Sequence, residues 1–140
     1  MRWLERANLV LHAGDVVSPD TLEQLRGYGK LEAVHGNMDE ESLRRALPKQ
    51  QVVGVGEVRI GLVHDAGPRK GRADRLAARF PDCDAVVYGH THWPEASRHG
   101  RLLILNPGSP TDWRRSPGPS LLLLRLAGRT IEPELVFLAA

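Results

Sequence analysis

One recurring unit constrains this chain more than anything else in it. A short apolar run stops, again and again, at Asp, Asn or His, usually beside a glycine. Residues 8–11 run into His12-Ala13-Gly14-Asp15, and residues 31–34 into His35-Gly36-Asn37. Residues 58–63 stop at His64, residues 85–88 at Gly89-His90-Thr91-His92, and residues 101–105 at Asn106-Pro107-Gly108-Ser109. Apolar runs this short, bounded by turn residues, read as buried strands rather than helices. In open α/β sheets the chemistry collects outside the carboxyl ends of the strands. If these strands are neighbours in one sheet, their trailing residues converge in one place.

The segments between the runs support an α/β reading. Ser18 suits a helix N-cap with Pro19 at the first helical position. Leu22 and Leu25 share a face of the helix that follows, and Gly27 and Gly29 end it. A short helix is predicted over 40–47, stopped by Pro48. Residues 51–55 and 58–63 form a hairpin around Gly56-Glu57. Residues 72–80 are helical, with Ala73, Leu76, Ala77 and Phe80 on one face. Residues 120–126 and 130–138 close the pattern as a hairpin turning at Ala127-Gly128-Arg129. Helices alternate with strands early and antiparallel strands dominate late, an order that two packed sheets with outer helices accommodate. The Pro- and Gly-rich residues 106–120 form a long functional or connecting loop.

Composition narrows the function classes. At 140 residues the chain fits one domain, taken as residues 1–140. A formal net charge of +2 gives no bulk signature of nucleic-acid binding. The longest apolar run, residues 121–124, falls far short of the ~20 residues a membrane helix needs. The single cysteine excludes an internal disulfide, and residues 1–6 carry no signal-peptide apolar stretch, so a cytoplasmic location is expected.

Asp15, Asn37, His64, His90 and His92 are the residues the strand ends single out. Alone, Gly14-Asp15 and Gly36-Asn37 are ordinary turns, and a lone His after a strand is more often a surface residue than a ligand. His90 and His92 differ, since His-x-His at a strand end sets two imidazoles close together. A mixed carboxylate, amide and imidazole set suits manganese, iron, zinc, nickel or cobalt better than calcium or magnesium.

This order of motifs resembles the calcineurin-like metallophosphoesterase superfamily, and Asn106-Pro107-Gly108-Ser109 is similar to a motif of its small phosphodiesterase branch. The resemblance implies a two-sheet β-sandwich flanked by helices, an αββα arrangement. It implies a phosphodiesterase that uses two divalent metal ions, manganese first, with nickel, iron, zinc or cobalt as alternatives. A hydroxide held between the two metals attacks the phosphorus. Asp15 takes the bridging position, Asn37, His64 and His90 complete one metal's shell, and His92 binds the other metal. Asp15 and His90 are the expected catalytic residues, and Asn37 and Asp39 the expected substrate contacts. The expected partner is a small phosphodiester or nucleotide, with a homo-oligomer allowed and no membrane.

The resemblance is incomplete. Relatives open with a strand carrying Asp-x-His, whereas residues 1–7 here hold neither Asp nor His. Either a start upstream of Met1 or loss of that half-site accounts for it. Loss would expose unpaired strand edges and apolar surface, which favours the upstream start. Met38 replaces a His that many phosphomonoesterases carry, and Asp65-Ala66 follows His64 where relatives often have Gly-His. Two other readings follow: a non-catalytic scaffold like the retromer subunit of this superfamily, or a protein binding one ion at Asp15, Asn37, His64 and His90. Arg69, Lys70 and Arg72 read first as a solvated basic loop and second as phosphate contacts, and Arg114 and Arg115 are treated alike. His12 is a candidate support for the ligands, His35 and His99 are structural or surface residues, and Cys83 is inert between Asp82 and Asp84.

Overall fold

The computed structural model describes residues 9–13, 30–36, 41–91, 93–108 and 120–137, and all that follows concerns these. The apolar runs become β1 (Val10–His12), β2 (Leu31–Ala33), β3 (Gln50–Val55), β4 (Val58–Val63), β5 (Ala85–Tyr88), β7 (Leu102–Asn106), β8 (Ser120–Ala127) and β9 (Thr130–Phe137). Two helices accompany them, α1 (Glu41–Ala46) and α2 (Arg72–Arg79). The helix expected after Ser18 lies outside the described residues.

One strand, β6 (Glu95–His99), escaped the sequence reading. Its residues Glu-Ala-Ser-Arg-His carry neither alternation nor β-branched side chains. It exists because it lies antiparallel on β7, from Glu95 opposite Asn106 to His99 opposite Leu102. An edge strand of polar composition draws its stability from its neighbour's ladder and deters further pairing.

The strands make two layers. One is a five-stranded sheet in the order β3-β4-β5-β7-β6, with β4, β5 and β7 parallel at its centre. The other consists of the parallel pair β1–β2 and the antiparallel pair β8–β9. The layers meet through Val34, Val58, Ile60, Leu62, Val87 and Leu105, with Leu11, Leu122, Leu124 and Leu126 packed against them. On the opposite face of the large sheet, Leu76 and Phe80 of the α2 region pack on Val63, Val86, Tyr88 and Ile104. The helical face foreseen at Ala73, Leu76, Ala77 and Phe80 is the one that packs. Residues in the parallel centre face apolar partners on both sides, which is why β5 is buried at all four positions.

The smaller layer is interrupted. Between β1 and β8 runs an apolar groove of about 790 Å3, lined by Leu9, Leu11, Leu122, Leu124 and Leu126 over a floor that includes Ile60 and Val87. Among the described residues, β1 pairs only with β2 and β8 only with β9, so each keeps one unpaired edge.

Candidate functional site

The parallel register fixes where two of the foreseen residues meet. Val63 of β4 stands opposite Tyr88 of β5, so His64 and Gly89 follow side by side on neighbouring strands. The Gly89 N–H donates to the His64 carbonyl at 2.9 Å, carrying the ladder one step past the strand ends. The next side chain along is that of His90. Its Nδ1 lies 3.3 Å from His64 Nε2, with the rings edge to face at 82° and centroids 5.2 Å apart.

The carboxyl end of β1 enters the same place. His64 is 4% exposed, and its Nδ1 is 2.7 Å from the Ala13 carbonyl oxygen. A carbonyl only accepts, so this contact puts the proton on Nδ1 and leaves the Nε2 lone pair facing His90. Gly89 makes the approach possible: a Cβ there would stand 2.9 Å from the Ala13 oxygen and 3.4 Å from His64 Nδ1. The β2 end follows, with Val34 N–H donating to the His12 carbonyl at 3.2 Å. Gly14-Asp15 and Gly36-Asn37 continue directly from these two ends in sequence.

His90 is held in an unusual conformation. Its φ of 69° is the only positive value at a non-glycine residue among those described. Thr91 N–H donates across it to the Gly89 carbonyl at 2.8 Å, closing a three-residue γ-turn of the positive-φ, strained kind. Such strain costs of order 1–3 kcal/mol and persists where neighbours impose it. Asn106 is the neighbour that imposes it. Wholly buried at the end of β7, it donates from Nδ2 to Thr91 Oγ1 at 3.0 Å and to the Gly89 carbonyl at 3.4 Å. Its Oδ1 accepts the Gly108 N–H at 2.9 Å, and Ser120 Oγ donates to the Pro107 carbonyl at 2.8 Å. The sequence reading used Asn106 as a family marker without a role. A buried polar residue closing an apolar strand was the available signal, the same one that exposed His64.

The loop after His64 is braced from α2. Arg72 Nη2 and Nε donate to the Gly67 carbonyl at 3.1 and 3.3 Å. Arg75 donates to the carbonyls of Ala66 at 3.0 Å, Lys70 at 2.8 Å and Pro68. Arg79 reaches the Asp65 carbonyl at 3.4 Å. These arginines sit three and four residues apart and so share one helix face. Arg72 is therefore not free in a solvated loop. It also donates to the Tyr88 hydroxyl at 3.1 Å, with its guanidinium carbon 4.9 Å from the ring centroid.

Electrostatics follow from these contacts. The Gly67 N–H held by the Asp65 carboxylate at 2.8 Å keeps that carboxyl below its usual range, with burial opposing and the Arg72 guanidinium assisting. Burial and the hydrogen bond to Glu95 push the Tyr88 phenol up to about 12. Burial raises the Cys83 thiol, and Asp84 and Asp82 add to the rise against Arg59, in keeping with an inert cysteine. His99 pairs with Asp74 at 3.0 Å on the surface, and His35 contributes a backbone N–H to the Pro48 carbonyl at 3.0 Å.

Of the foreseen site residues, then, His64 and His90 are brought into contact. Asp15, Asn37, Asp39 and His92 lie outside the described residues, as do Arg114 and Arg115. Among the described residues no group of three or more His, Cys, Asp or Glu side chains forms a metal-sized cluster. Nor, among them, is any helix long and apolar enough to cross a membrane.

Comparison with known proteins gives the family. Residues 1–129 match the calcineurin-like phosphoesterase superfamily domain, and the chain belongs to that superfamily. A protein named "Probable metallophosphoesterase" from Methanothermobacter thermautotrophicus is 35% identical over 132 residues, covering 91% of this chain and 74% of its own length. A second of that name from Methanocaldococcus jannaschii is 36% identical over 107 residues, 74% of this chain, and the chain spans about half of it, 54%. Among solved structures, wild-type Vps29 from Entamoeba histolytica, crystallised with zinc, is similar with a TM-score of 0.75 and 27% identity, covering 96% of this chain and 86% of that one.

Proposed function

We propose that this chain is a metal-dependent phosphodiesterase. One observation carries the reading: His64 and His90 present ring nitrogens 3.3 Å apart at adjacent strand ends, while the Ala13 carbonyl holds the other nitrogen of His64. Two nitrogens each ~2.0–2.1 Å from a shared ion would lie roughly 3.0–3.4 Å apart, so the observed spacing fits two ligands of one metal. A metal-bound His almost always donates its second N–H to a carbonyl or carboxylate, as His64 does to Ala13. The residues therefore fit a divalent ion. His64 and His90 would hold it, joined by Asp15 and Asn37, with His92 on a second ion; manganese is the first choice.

The metals would supply Lewis-acid stabilisation of the phosphoryl oxygens and an activated water. The chain's part is positioning. Ala13 fixes the His64 tautomer, Asn106 fixes the turn that aims His90, and Arg72, Arg75 and Arg79 anchor the loop beyond His64. Preorganised donors cost no rearrangement as charge develops, the general source of electrostatic catalysis. Asp65 stays ionised beside the imidazoles and adds negative charge that favours a cation there.

The test is hydrolysis of bis(p-nitrophenyl) phosphate by the manganese-loaded chain. Metal-dependent release of p-nitrophenol that His90→Ala reduces at least a hundredfold supports the reading. Equal turnover in the variant would sink it. The scaffold reading draws on the likeness to Vps29 and would gain from a folded chain with no turnover at all.

A further inference from the structure

A second groove opens beside the histidine pair, on the α2 face of the large sheet. Its walls are α2 and the edge strand β6, and its floor is Ala73, Tyr88 and Ile104. It encloses about 760 Å3, within the range of small-ligand sites. Thr91, covalently next to His90, is part of the lining, so the groove adjoins the histidine pair.

Its lining is cationic and aromatic. Arg69, Arg72 and Arg98 face one carboxylate, Glu95, which is already engaged: it accepts from the Tyr88 hydroxyl and, at 2.6 Å, from Ser97 Oγ. The Arg72 guanidinium is spent on Gly67 and Tyr88. Those of Arg69 and Arg98 have no hydrogen-bond or ion-pair partner among the described residues, yet both line the groove. Trp93 stands at the mouth, 53% exposed, its N–H main-chain group tied to Thr91 Oγ1 at 3.2 Å. About half of the indole is open to solvent, which leaves a ring face available to a flat ligand.

We infer that this groove binds the nucleoside side of a nucleotide-type substrate, with the base stacked on Trp93 and phosphate oxygens taken by Arg69 and Arg98. Guanidinium forks suit phosphate, and an indole face suits any base. A purely aliphatic phosphodiester would use the arginines and leave Trp93 idle. The inference rests on the phosphodiesterase reading for the direction of the scissile bond, but the groove can be tested without turnover.

The test uses the full chain with metal removed by chelation, titrated with ADP, pyrophosphate and adenosine by calorimetry and indole fluorescence. ADP should bind and quench emission, and more tightly than pyrophosphate. Trp93→Ala should weaken ADP roughly tenfold or more and leave pyrophosphate unchanged. Arg98→Ala should weaken both. Both side chains are exposed, and circular dichroism confirms that the variants fold. Failure of ADP to bind, equal affinity for ADP and pyrophosphate, or an unchanged ADP affinity in Trp93→Ala would overturn the groove. ADP binding without manganese-dependent turnover would instead strike the reaction and leave the groove standing, and turnover without ADP binding would do the reverse.

Discussion

Strands β5 and β8 are both runs of apolar residues, yet they end in different circumstances. All four positions of Ala85–Tyr88 are buried, while Leu121, Leu122, Leu123 and Leu124 of the longer run stay half-exposed. The difference lies in the neighbours. β5 is flanked by β4 and β7 and covered on both faces, whereas among the described residues β8 pairs on one side only and borders the groove shared with Leu9 and Leu11. Apolar sequence states a capacity for burial, and the sheet around it decides how much is realised. His64 and His90 leave from the larger sheet, and the Ala13 carbonyl reaches His64 from the smaller layer.

Leucine truncation tests that contrast with the largest expected effect. Leu62→Ala, at a wholly buried position of β4, should cost about 2–5 kcal/mol in urea unfolding. Leu124→Ala, at the half-buried β8, should cost about 1 kcal/mol, because less transfer energy is lost and the groove adds no new cavity. Equal costs would erase the distinction between the layers.

A smaller effect sharpens the picture of the larger sheet. The Tyr88 phenol is raised from the ordinary 10 to about 12 by burial and the Glu95 bond. A raised folded value favours the protonated form, so this contribution is fully present below the ordinary value and is lost as pH rises through about 12. Tyr88→Phe should cost about 1 kcal/mol near neutrality, through lost hydrogen bonds with Glu95 and Arg72, and should remove the late phenolate step from the ultraviolet titration. If that step survives in the variant, the buried phenol is not where it is placed here.

Much of this was legible in the sequence, and for one physical reason. Strand ends coincide with a change from apolar to polar residues, so His64 and His90 could be located before their strands were paired, whereas their contact needed the β4–β5 register and the turn at His90. The face of α2 was legible in the same way, from the spacing of Ala73, Leu76 and Phe80. What escaped depends on partners far away in sequence. β6 forms only because β7 offers a ladder to Glu95–His99. The role of Asn106 depends on Thr91 and Gly89, and that of Arg72 on Gly67 and Tyr88. A polar side chain declares its chemistry in the sequence but not its partner.

The claim that the two imidazoles meet in order to hold a cation is tested most directly by counting metal. The chain is equilibrated with manganese, freed of excess and assayed by elemental analysis alongside the double variant His64→Ala, His90→Ala, with circular dichroism confirming the fold of both. At least one ion per folded chain, lost in the variant, is the predicted result. A folded chain that holds no ion, or a variant that holds as many as its parent, would contradict it.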